Sequence, residues 1–102
     1  MTPARQLGNL IASGDIVMAP GAPDALTARL VERAGFPAVY MTGFGATAVR
    51  LGMPDIGLLS QTEMTAHARN MALATRIPII ADADTGYGGP SNIHRTCLLY
   101  TS

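Results

Sequence analysis

The apolar positions of this chain alternate between helical and extended spacing, and turn residues mark each switch. Thr2 offers an N-cap, Pro3 suits a first helical position, and Leu7, Leu10 and Ile11 form an i, i+3, i+4 stripe. Gly14 stands where a left-handed residue closes a helix. The run Ile16-Val17-Met18-Ala19-Pro20 is short and partly β-branched, which predicts a buried strand. Asp24 is placed to cap the next helix. Leu26, Leu30, Val31 and Ala34 line one face of it, and Gly35 and Pro37 end it. Residues 38–42 read as a second strand, and Gly43-Phe44-Gly45 as a turn that needs glycine's backbone freedom. A short helix over 46–51 and a Gly/Pro loop over 52–57 follow. Ser60-Gln61-Thr62-Glu63 is a capping box opening a helix to about Thr75, with Met64, Ala68, Met71 and Ala72 as its stripe. Residues 78–82 read as a third strand, 84–90 as a glycine-rich loop, and Ser91 as the cap of one more helix.

The order α, then β-α-β-α-β, is that of an α/β protein, with strands about one βαβ unit apart. Strands apolar on both faces predict a parallel sheet covered by helices. A closed parallel barrel uses eight strands and about 250 residues. An open doubly wound sheet uses five or six. Three strands in 102 residues therefore read as the N-terminal part of something larger.

Composition narrows the function classes. Hydrophobic residues make up 48% and charged residues 14%, which excludes a disordered, solvating chain. Seven basic residues balance seven acidic ones, so the basic excess of a nucleic-acid binder is missing. One cysteine, Cys97, excludes a disulfide framework and a multi-cysteine zinc site. No apolar run reaches the roughly 20 residues of a membrane span, and the N-terminus does not read as a secretory signal, so the expected location is the cytoplasm.

Asp82-Ala83-Asp84 is the sharpest chemical signal. Residues i and i+2 of an extended chain share a face, and the pair closes an apolar strand at the end where α/β folds place their sites. Two neighbouring carboxylates repel unless a positive charge joins them, and a hard divalent cation suits the pair. The plain alternative is a helix- or turn-capping aspartate, and Asp-x-Asp by itself leaves both open. Thr42-Gly43-Phe44-Gly45 either presents backbone N–H groups and a hydroxyl to an anion or is only a tight turn. Tyr40 shares a face with Thr42. Asp55 reads first as a turn residue, His67 and His94 as packing or surface histidines, and Cys97 as unactivated.

Four blocks in order carry a resemblance. They are residues 19–29 (APGAPDALTAR), 39–45 (VYMTGFG), 51–59 (LGMPDIGLL) and 80–88 (IADADTGYG). Together they resemble the start of the isocitrate lyase/phosphoenolpyruvate mutase superfamily, over about residues 5–96. The resemblance implies a (β/α)8 barrel, a homotetrameric parent enzyme, Mg²⁺ (Mn²⁺ suits the same ligands) and a small carboxylate substrate related to pyruvate. It implies that Asp82 and Asp84 bind the metal and that Asp55 supports it through water beside the substrate. It assigns Thr42, Gly43 and Phe44 to the substrate carboxylate, with Tyr40 beside them.

The implied reaction is Mg²⁺-dependent cleavage of a carbon–carbon bond in a 2-substituted or 2-keto dicarboxylate through a pyruvate enolate. Methylisocitrate lyase, dimethylmalate lyase and oxaloacetate decarboxylase types all fit. Thr42 replaces a common serine but keeps the hydroxyl, whereas Phe44 replaces a glycine of methylisocitrate lyases and weakens the case for that substrate. The Lys-Lys-Cys-Gly-His loop of the lyases does not occur, so this chain alone is expected to be inactive. Residues 97–102 depart from the family's charged helix and are expected to be a non-native or truncated tail. The rival within the superfamily is a carboxyphosphonoenolpyruvate phosphonomutase. The rival outside it is a small non-catalytic α/β binding module.

Overall fold

The computed structural model describes residues 1–101, with side chains through residue 100. Helix α1 (Pro3–Ala12) is followed by β1 (Gly21–Ala22), α2 (Ala25–Arg33), β2 (Val39–Met41), α3 (Gly43–Leu51), α4 (Gln61–Ala74), β3 (Ile79–Ala81) and α5 (Pro90–Thr101). The strands form one parallel sheet in the order β1-β2-β3, with Gly21 opposite Tyr40 and Tyr40 opposite Ile80.

The first four helices begin where capping chemistry directs, whereas α5 starts at Pro90, so Ser91 lies inside it and is not its cap as expected. Thr2, Asp24, Thr42 and Ser60 each accept an N–H of the first turn, from Arg5, Thr27, Gly45 and Glu63. Ser60 and Glu63 form the expected reciprocal box. Gly52, at φ 63°, closes α3 in the left-handed region.

The core lies between the sheet and the helices. Val39, Met41 and Met71 are fully buried, joined by Ala22, Ala28, Ala46 and Met64. Tyr40, between Val39 and Met41, points to the opposite face and is 38% exposed; Ile80 is 37% exposed. The described residues thus cover one face of the sheet, not both as expected.

Three other expectations need correction. Residues 16–20 do not form a strand: Ile16 is 92% and Met18 62% exposed. Pairing with β2 begins only where the Pro20 carbonyl accepts the Tyr40 N–H at 2.9 Å, so the preceding residues gain no ladder. In α2 the buried residues are Ala28 and Val31, while Leu26 and Leu30 face outward. Small residues let this helix approach β1 and α4 closely. Gly43-Phe44-Gly45 is not a separate turn but the first turn of α3, capped by Thr42.

Candidate functional site

The C-terminal ends of β2 and β3 converge on a cavity of about 40 Å³, lined among others by Gly43, Asp55, Asp82, Asp84 and Tyr87. A water needs about 10–15 Å³ on this scale, so there is room for an ion and its nearest waters. Asp82 follows β3 directly, and its N–H extends the ladder to the Met41 carbonyl at 3.3 Å. Asp82 Oδ1 accepts the Asp84 N–H at 2.8 Å, which turns the chain so that both carboxylates border one space. Asp84 lies at φ 50°, a region aspartate tolerates.

Gly43 supplies the opposite wall. A Cβ there would come within 2.5 Å of Asp82 Oδ2, so the carboxylate keeps this position only beside a glycine, although the φ of Gly43 is not positive. The residue is also the first of α3, whose N-terminal end carries partial positive charge beside the Asp82 carboxylate. Gly45 is equally confined. A Cβ there would meet Thr42 Cγ2 at 2.6 Å and Pro23 Cβ at 2.8 Å.

The cavity therefore gathers Gly43, Asp55, Asp82 and Asp84 of the seven candidates. The other three lie outside its lining. Tyr40 opens onto the bare sheet face, Phe44 is 64% exposed, and Thr42 Oγ1 accepts the Gly45 N–H at 3.1 Å. Among the described residues no three His, Cys, Asp or Glu side chains are grouped to hold one ion. A magnesium-type ion takes only one or two carboxylates, with waters and substrate oxygens, so the donors present fit it. His67 packs as expected: it is buried, with Nε2 2.6 Å from the Pro23 carbonyl.

Tyr87 and Tyr100 escaped the sequence reading. Tyr87 is the second non-glycine residue at positive φ, 65°, a conformation costing roughly 1–2 kcal/mol for an L-residue. Its hydroxyl lies 3.1 Å from that of Tyr100, and the Tyr100 hydroxyl lies 3.1 Å from the Asp82 carbonyl. A carbonyl only accepts, so Tyr100 donates its single proton to Asp82 and Tyr87 must donate to Tyr100. Burial raises both phenols above their ordinary value. For Tyr87 the hydrogen bond it donates and the charges of Tyr100, Asp82 and Asp84 add to this; for Tyr100 the charge of Asp82 adds, while the bond from Tyr87 opposes it. The only sequence signal was an aromatic residue between Gly86 and Gly88, which says nothing of a partner 13 residues away.

The phosphoenolpyruvate phosphomutase family model matches residues 7–99. Over 98% of its length the chain is 49% identical to a 2,3-dimethylmalate lyase of Eubacterium barkeri, covering 35% of that enzyme. Over 85% it is 51% identical to the chloroplastic carboxyvinyl-carboxyphosphonate phosphorylmutase of Arabidopsis thaliana, covering 26% of it. A phosphonopyruvate hydrolase solved with oxalate and Mg²⁺ superposes on 99% of the chain at a TM-score of 0.93 and 35% identity, with 35% of the hydrolase covered. The chain thus spans about a third of the relatives it matches, and its three strands are part of their barrel fold. With all but the ends of its sequence matched by that model, the chain belongs to the phosphoenolpyruvate phosphomutase family.

Proposed function

We propose that this chain supplies the cation- and carboxylate-binding part of a Mg²⁺-dependent carbon–carbon lyase acting on a small 2-substituted or 2-keto dicarboxylate. One observation carries the reading: Gly43, Asp55, Asp82 and Asp84 border one small cavity at the C-terminal ends of parallel strands, where barrel enzymes keep their sites. The 49% identity to a dimethylmalate lyase supports the lyase type.

Asp82 and Asp84 would hold the cation, and Asp55 would orient a water toward it. A bound Mg²⁺ supplies fixed positive charge where the reaction accumulates negative charge on oxygen. Asp82 is held for this by three bonds, through its N–H, its carbonyl and one carboxylate oxygen. The first N–H groups of α3, at Gly43 and Phe44, have no acceptor within the helix and would face a substrate carboxylate. Thr42 keeps that turn in place through its bond to Gly45. Tyr40 borders the substrate from the bare face of the sheet, where the rest of a barrel would enclose it.

The 51% identity to a phosphorylmutase favours a second reading, in which the same cradle serves phosphorus transfer. In either case the parent enzyme is a cytoplasmic homotetramer, and this third of it does not turn over substrate alone. Among the described residues no helix is long and apolar enough to cross a membrane.

Calorimetric titration with oxalate, a planar dianion shaped like a pyruvate enolate, tests the cradle. We expect oxalate to bind the chain only with Mg²⁺ present and not to bind D82N or D84N. Oxalate binding that ignores Mg²⁺, or no binding at all, sinks the reading.

A further inference from the structure

We propose that Tyr100 is a positioning residue for the Asp82–Asp84 pair: its hydroxyl, oriented by Tyr87, holds the Asp82 carbonyl and so fixes both carboxylates for a divalent cation. The inference rests on the metal reading above and adds to it residues outside the cavity's acidic set.

The loop after β3 contains both non-glycine residues at positive φ among the described residues, Asp84 and Tyr87. Such a conformation persists only where its surroundings over-determine it. α5 supplies much of that restraint. Thr96 Oγ1 donates to the Gly86 carbonyl at 2.7 Å, and Tyr100 donates to the Asp82 carbonyl at 3.1 Å. The Tyr87 hydroxyl completes the chain by donating to Tyr100. The two rings also pack, with centroids 6.5 Å apart.

Asp82 is therefore gripped at three points from three directions. β2 takes its N–H, α5 takes its carbonyl, and the Asp84 backbone takes Oδ1. Only the α5 contact depends on a removable side-chain atom of another residue. Without it the peptide after Asp82 is free to rotate, and the turn that brings Asp84 beside Asp82 loosens. A cation held by two carboxylates loses affinity once their spacing is no longer set in advance.

The test is Mn²⁺ titration of the 102-residue chain, read from the electron paramagnetic resonance signal of unbound Mn²⁺, in wild type, Y100F, Y87F and D24A. Carbon-13 spectra of the metal-free proteins report the Asp82 carbonyl. Y100F should weaken Mn²⁺ binding about fivefold to tenfold, the scale of one lost hydrogen bond. It should also shift the Asp82 carbonyl resonance. Y87F keeps the bond to Asp82 and should weaken binding less. D24A destabilises α2, none of whose residues lines the cavity, and should leave affinity unchanged, which separates positioning from mere stability.

Y100F binding Mn²⁺ as tightly as wild type overturns the inference and leaves the metal reading intact. Wild type binding no Mn²⁺ overturns the metal reading and the positioning role with it. Should Y100F fail to fold by circular dichroism, Y87F decides: affinity equal to wild type overturns the proposal, weaker affinity with a shifted carbonyl supports it.

Discussion

The Asp82 carboxylate occupies the place a side chain at residue 43 would need: its Oδ2 lies 2.5 Å from where a Cβ of Gly43 would stand. The obstructing atom is the far end of a short side chain, so G43A is expected to push the carboxylate aside without unfolding α3. Thermal melting should change little. Mn²⁺ affinity should fall about tenfold, equivalent to about 1.4 kcal/mol. An unchanged affinity would show that this carboxylate is not a ligand.

Gly45 meets a harder wall. A Cβ there would approach Pro23 Cα at 3.2 Å as well as Pro23 Cβ and Thr42 Cγ2. Backbone cannot rotate away, so G45A should destabilise the chain by about 1–3 kcal/mol, the usual scale of overpacking. Denaturant unfolding measures this, and a midpoint equal to wild type would refute the contact.

Asp24 caps α2 by accepting the Thr27 N–H at 2.8 Å. Its carboxyl lies below the ordinary carboxylate value, first because of the hydrogen bond to the Thr27 backbone and then because of the Thr27 side chain; burial opposes these, and the charge of His67 adds the smallest lowering. A lowered value means that the cap's stabilisation is complete above the unfolded value of about 3.9 and is lost as pH falls through the lower folded value. D24A should cost about 0.5–2 kcal/mol at neutral pH. The gap between D24A and wild type should close as pH falls through that lowered folded value and the carboxyl protonates. A gap independent of pH would show that Asp24 does not act through its charge.

The tyrosine pair gives a prediction at the opposite end of the scale. Both phenols are raised above their ordinary value, so their contribution is complete below about pH 10 and is lost as pH climbs through the higher folded values. Ultraviolet titration should show Tyr87 and Tyr100 ionising only as the fold opens. Reversible ionisation of both near pH 10 in a folded chain would exclude the hydroxyl relay.

The bare sheet face carries a prediction about association. Tyr40 and Ile80 stand exposed beside strands whose outer edges, on β1 and β3, have no partner strand among the described residues. Sedimentation should find the 102-residue chain associating as its concentration rises, and Y40K should reduce this. A chain that stays monomeric at high concentration would count against an exposed apolar face.

Local chemistry was legible in the sequence where it acts over three or four residues. The caps at Thr2, Asp24 and Ser60 open helices as expected, and the spacing of Asp82 and Asp84 places both at one cavity. Errors came where the deciding partner is distant. The run at 16–20 has a strand's composition but lacks a neighbour to pair with before Pro20. Gly43 and Gly45 have the composition of a turn but no positive φ; each makes room for a residue elsewhere in the sequence, Asp82 or Pro23. Of the expected α2 stripe, Leu26, Leu30, Val31 and Ala34, only Val31 is buried; the tight approach to β1 and α4 took Ala28 in place of the leucines. Tyr100 lies in a segment that departs from the family pattern, and only the fold shows its hydroxyl reaching Asp82 across 18 residues.

Pro23 has two neighbours that never touch it in sequence. Its carbonyl meets His67 of α4, and its ring fills the space above Gly45 of α3. The order in which substitutions arise is therefore constrained. A larger residue at 45 needs room from two side chains at once, Thr42, whose Cγ2 stands 2.6 Å from where a Cβ would be, and Pro23, whose Cβ stands 2.8 Å away. A single change at 45 is therefore closed, and across an engineered library substitutions there should appear only alongside changes at both 23 and 42.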